Sequence, residues 1–60
     1  VPADFATTLE GDTAAKSFFD GLSYSNKRRI VLSIDGAKTA ETRQRRIEKA
    51  VLALSEGRTP

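Results

Sequence analysis

Chemistry in a chain of 60 residues has few places to reside, and here the usual ones are empty. There is no His and no Cys. That removes the common general base, the thiolate nucleophile and the imidazole and thiolate metal ligands together. No G-x-S-x-G elbow and no Ser-x-x-Lys pair occurs. Asp4, Glu10, Asp12 and Asp20 are the carboxylates from which an acid–base pair could be drawn. Each has a simpler role as a first-turn charge, a cap or a solvated surface group. No D-x-D-x-D-G calcium loop is present, and the four glycines lie too far apart to cradle a phosphate. The reading is therefore non-enzymatic, with no catalytic residue, no metal and no cofactor.

The remaining candidates are cationic. Lys27-Arg28-Arg29 falls in the first turns of a helix, where positive charge opposes the helix dipole. An arrangement that breaks a local rule can mark a functional surface, here one that meets phosphate; the alternative is a solvated face. The second candidate is the stretch from Lys38 to Arg46. Glu41 and Arg45 are spaced i, i+4 in the favourable order. Arg43 stands four residues before Ile47, so it extends an apolar stripe. Its stem is expected to lie on the core, with its guanidinium on a carboxylate or a helix C-terminus. The candidate binding residues are thus Lys27, Arg28, Arg29, Lys38, Glu41, Thr42, Arg43 and Arg46. Gln44, Arg45 and Lys49 could face a DNA groove, which makes a nucleic-acid module the alternative reading. No aromatic platform for single strands supports it, because Tyr24 is alone and the three Phe residues read as core.

The elements that hold these residues are punctuated by glycine. Gly11, Gly21, Gly36 and Gly57 each follow a run of helix formers and are expected at left-handed C′ positions. Asp12, Ser23 and Thr39 then start the next helix as N-caps, and Pro2 suits the first turn of the first. Four helices follow, over about Ala3–Glu10, Thr13–Asp20, Tyr24–Asp35 and Ala40–Glu56. Their apolar positions recur at helical spacing: Phe5 and Leu9; Ala15, Phe18, Phe19 and Leu22; Ile30, Val31 and Ile34; Ile47, Ala50, Val51 and Leu54. The fold class is all-α, a compact bundle of four short helices with the last one longest. Leu32 and Leu52 fall outside the core faces and could contact a missing domain or partner. Arg58 to Pro60 reads as a frayed tail.

Charge is uneven along the chain. Residues 1–20 carry −3, whereas nine Lys or Arg against four acids give residues 21–60 +5. No apolar run approaches the roughly 20 residues that span a bilayer, and no secretory signal is visible, so the expected location is the cytoplasm. The chain starts at Val1 and contains no Met. Residues 1–60 are accordingly expected to form a single helical domain, a processed product or an excised piece of a longer protein.

The run Gly36-Ala37-Lys38-Thr39-Ala40-Glu41-Thr42-Arg43-Gln44-Arg45-Arg46-Ile47-Glu48-Lys49-Ala50-Val51, with Leu54 and Glu56-Gly57-Arg58, resembles the C-terminal signature of the bacteriocin-protection, YdeI/OmpD-associated family. The opening Val1-Pro2-Ala3-Asp4-Phe5 and the Phe19, Leu22-Ser23 positions resemble it too. The matching motif positions are Lys38, Glu41, Thr42, Arg43, Arg46 and Ile47. The resemblance implies a bacterial protein whose helical domain often follows a small β-rich domain. It also implies a link to tolerance of bacteriocins or cationic antimicrobial peptides. It supplies no catalytic residue. Together the readings predict a binding or structural module that docks on another domain of its own protein or on a protein partner.

Overall fold

A computed structural model describes residues 1–60. It contains four helices: α1 (Ala3–Glu10), α2 (Thr13–Asp20), α3 (Tyr24–Asp35) and α4 (Ala40–Ser55). The chain is all-α, as its apolar spacing requires, and α4 is longest. It ends one residue before the expected Glu56. No helix is long and apolar enough to cross a membrane.

Each start has a side-chain cause. Asp12, Ser23 and Thr39 sit in extended backbone just outside α2, α3 and α4. Their oxygens accept from the otherwise unpartnered N–H groups of Ala15 (3.1 Å), Asn26 (3.2 Å) and Thr42 (3.1 Å). Pro2 lies one residue outside α1 rather than within its first turn, and its carbonyl accepts from the Ala6 N–H at 2.9 Å.

The stops correct the sequence reading. Gly11, Gly21 and Gly36 are not left-handed: their φ values are −77°, −84° and −75°, a continuation of the right-handed turn. The physical reason is the shortness of the links. In each link the redirecting is done by the extended N-cap residue ahead of the next helix, which leaves the glycine no sharp turn to make. Only Gly57 has positive φ, at 76°. There the Gly57 N–H donates to the Leu54 carbonyl (3.0 Å) and the Arg58 N–H to that of Ala53 (2.9 Å), the two bonds of a Schellman stop.

The difference gives a paired prediction. A Cβ at position 21 would meet only ordinary contacts, the nearest at 3.6 Å. Gly21→Ala should therefore raise stability by about 0.4–1 kcal/mol through the unfolded chain. Gly57→Ala should lower it by roughly 1–2 kcal/mol, since the cost of left-handed backbone falls on any L side chain. Urea midpoints moving in opposite directions, at unchanged slope, would show it.

The core draws on every helix. Phe5, Leu9, Ala15, Phe19, Ile30, Ile34, Ile47, Ala50, Val51 and Leu54 form one buried cluster, with Phe18 and Leu22 packed half-buried at its edge. Val31, on the expected stripe, is only half-buried and outside it. Phe5 and Phe19 meet edge-to-face at 5.4 Å and 87°, joining α1 to α2. The longest helix, α4, packs against the other three. Contacts climb α4 as they descend α3, from Arg43 with Asp35 to Arg46 with Ser33. The two helices thus form an antiparallel hairpin.

Candidate functional site

Arg43 is where three helices are tied together. The cap at Thr39 fixes the register of α4, which puts Arg43 one turn in and one turn before the buried Ile47. The side chain is 28% exposed. Nε and Nη2 donate to the two carboxylate oxygens of Asp4 at 2.6 and 3.1 Å, a bidentate pair that holds the start of α1. Nη1 donates to Asp35 Oδ1 at 3.0 Å and reaches the Ile34 carbonyl at 3.5 Å. That is the C-terminal end of α3, where the helix dipole favours a cation.

The electrostatics follow from these contacts. The hydrogen bond from Arg43 is the main reason the Asp4 carboxyl is held below its ordinary value of 3.8; the N–H of Phe5 adds to it, against a smaller opposing desolvation. The bonds from Asp4 and then Asp35 raise the guanidinium still further above neutrality. Arg43 is therefore permanently charged and its donors are used inside the fold. The expectation of a half-buried, paired Arg43 is met, and both suggested kinds of partner are present together.

Most of the family-like string has comparable structural work. The Thr39 hydroxyl donates to that of Thr42 at 3.0 Å within the α4 cap. Glu41 accepts from Arg45 at 2.8 Å on the exposed face, a pair worth about 0.3–0.5 kcal/mol. Arg46 donates through Nη1 to the Ser33 carbonyl at 2.6 Å, strapping α4 to α3. Ile47 is fully buried. Of the six matching motif positions, Lys38 alone is exposed without a side-chain partner.

The other cluster lies elsewhere. Lys27 Nζ stands 5.8 Å from the centre of the Phe19 ring. Such a contact is worth about 0.5–1 kcal/mol, enough to offset the dipole cost of a cation there. Arg28 is exposed, and Arg29 donates to Asn26 Oδ1 at 3.3 Å. From Arg29 to the end of α3 at Asp35 is a rise of about 9 Å, and Lys38, Glu41 and Thr42 lie beyond that end. The structure thus leaves Lys27 and Arg28 at one end of the hairpin and Lys38, Glu41, Thr42 and Arg43 at the other, and brings only Arg29 and Arg46 together along the seam between them.

What it does gather was not read from the sequence as a group. Along the α3/α4 seam lies a groove of about 670 Å³. Arg29, Arg46, Lys49 and Arg58 line it with apolar Ile30, Ile34, Ala50, Leu52 and Ala53, and no acidic residue takes part. Leu52 is 58% exposed. Arg58, expected in a frayed tail, instead has its N–H fixed on Ala53 and its side chain paired with Glu56. The missed signal was the spacing Arg46, Lys49, Ala50, Ala53, which is i, i+3, i+4, i+7 on one face of α4. No group of three or more acidic, His or Cys side chains is placed to hold a metal ion.

These residues define a class of protein: a small helical module in which an antiparallel hairpin carries a basic, apolar-floored groove and two short helices are clasped on by one arginine. The chain belongs to the bacteriocin-protection, YdeI or OmpD-associated family, whose model matches residues 1–57. No curated protein and no solved structure matches the chain.

Proposed function

We propose that the chain is a non-catalytic docking module of a bacterial, cytoplasmic bacteriocin-protection protein. It binds another domain of its own protein, or a separate protein partner, in the context of bacteriocin or antimicrobial-peptide tolerance. The observation that carries this is the α3/α4 groove, where exposed Leu52 stands beside four cations over a buried apolar floor. An exposed leucine is ordinary by itself, but one set in a concave, charge-bordered surface is how docking sites are built. The absence of His and Cys supports a non-catalytic role. Most of the motif string already serves caps, the clasp and the core, so the docking surface is assigned to the groove.

Deleting the gene for the parent protein should sensitise its bacterium to a bacteriocin or a cationic antimicrobial peptide, and the intact gene should restore tolerance. Unchanged susceptibility in the deletion strain would refute the reading. The four converging cations also favour a second reading, a nucleic-acid module. For that reading, affinity for a short DNA duplex must survive physiological salt at specific amides of α3 and α4, not merely fall away as counterions compete. The docking reading expects shifts, if any, to vanish with modest salt.

A further inference from the structure

We infer that the α3/α4 groove receives an acidic amphipathic helix, one that presents two carboxylates a turn apart followed by an apolar side chain. The inference rests on the docking reading above and deepens it by naming the chemistry of the partner. Four observations lead to it. First, every charged side chain lining the groove is basic: Arg29, Arg46, Lys49 and Arg58. Second, two of these cations, Arg46 and Lys49, are incompletely used within the chain, whereas Arg58 is paired with Glu56 and Arg29 donates to Asn26. Lys49 makes no ion pair or hydrogen bond, and Arg46 commits only Nη1, to the Ser33 carbonyl. Third, Arg46 and Lys49 are one helical turn apart on α4, matching carboxylates spaced i, i+3 or i, i+4 on a partner. Fourth, the same stripe turns apolar after Lys49, at Leu52 and Ala53. A helix laid along it thus meets charge first and then an apolar contact, the usual helix-in-groove pattern.

The same features disfavour other occupants. Bases of a single strand need aromatic faces, and no aromatic residue lines the groove. A duplex polyanion would leave exposed Leu52, in the groove lining, without an apolar contact. A cationic antimicrobial peptide is repelled by Arg29, Arg46 and Lys49, none of which is paired with a carboxylate, so any protection the module confers does not come from capturing such a peptide here.

The test is an amide NMR titration of the 60-residue chain at physiological salt with four probes. One is a synthetic acidic helix of about four turns, with Leu and Glu at i, i+4 spacing. The others are its Lys-for-Glu twin, its Ser-for-Leu twin and a short DNA duplex. The acidic helix should move the amides from Arg46 to Ala53 and those of the tail. Lys49→Glu and Leu52→Ser should each weaken it about tenfold. Both side chains are exposed, and an unchanged thermal melt verifies that the variants fold. Equal binding of the Lys twin, equal binding of the Ser twin, or no binding of the acidic helix would overturn the inference while leaving the deletion phenotype to judge the docking reading. Salt-resistant binding of the duplex in the groove would sink the docking reading itself.

Discussion

Phe5→Ala should leave the chain unfolded at room temperature. Phe5 is fully buried and closes the core from α1, edge-to-face on Phe19. Removing a buried Phe side chain costs about 3–5 kcal/mol, counting lost transfer energy and the cavity left behind. A chain of this size has a total stability of roughly 3–9 kcal/mol. The loss is therefore comparable to everything the fold has. There is little scope for relaxation, because α1 is too short to hold helical structure unless its apolar face is packed. The wild-type chain should show a cooperative thermal transition by circular dichroism and dispersed amide resonances, and Phe5→Ala should show neither. Tyr24→Ala is the control. Tyr24 is 75% exposed, and its loss should shift stability by no more than about 0.5 kcal/mol. A Phe5→Ala chain that melted like the wild type would show that α1 is an ornament on the other three helices.

The second large effect belongs to the Arg43 clasp. Arg43→Ala removes the bidentate bond to Asp4 and the bonds to Asp35 and the end of α3 in a single change. It also removes a side chain that is only 28% exposed. The melting temperature should fall by several degrees, which is what a modest loss does to so small a domain. Arg43→Lys should recover only part, since an ammonium keeps the charge but cannot form the two-pronged contact. The clasp also makes a pH signature. The Asp4 carboxyl is depressed in the folded chain from 3.8. Its stabilising contribution is therefore fully present above the unfolded value, begins to fade near it, and is lost as pH falls through the lower folded value. Asp4→Asn should be less stable than the wild type at neutral pH and should flatten the acid limb of a stability profile below about pH 4. Parallel acid limbs in wild type and Asp4→Asn would remove Asp4 from the account.

Much of this fold is visible in the sequence because local rules and global packing agree. Asp12, Ser23 and Thr39 act as the caps their residue types suggest, and the i, i+4 spacing of Phe5 and Leu9 names the buried face of α1. The glycines mislead for a physical reason. A residue type can permit left-handed backbone without being asked to adopt it, and here the extended N-caps make the corners. The pairing of Arg43 is legible in outline, because an arginine on an apolar stripe must find an anion. Which anion is not legible: Asp4 is 39 positions away, and only the antiparallel α3/α4 hairpin with α1 across its end brings the two together. The groove is hidden for the same reason. Its cations come from α3, α4 and the tail, and sequence clusters such as Lys27-Arg28-Arg29 draw attention to neighbours along the chain rather than across it. Long-range partners depend on how helices cross, and no local pattern carries that information.

The family-like string reads differently with the structure in place. Thr42, Arg43, Arg46 and Ile47 start, clasp, strap and bury α4, so the motif is explained by what the fold needs. Function is then sought where the fold makes no demand, at Lys49 and Leu52. The direct measurement is restoration of tolerance in a strain deleted for the parent gene, using the Lys49→Glu/Leu52→Ser double variant after its melt has been matched to wild type. The folded double variant is expected to accumulate normally and to fail to restore tolerance, whereas Lys38→Glu, on an exposed residue outside the groove lining, restores it. Full restoration by the double variant would contradict the claim that this module works through the α3/α4 groove.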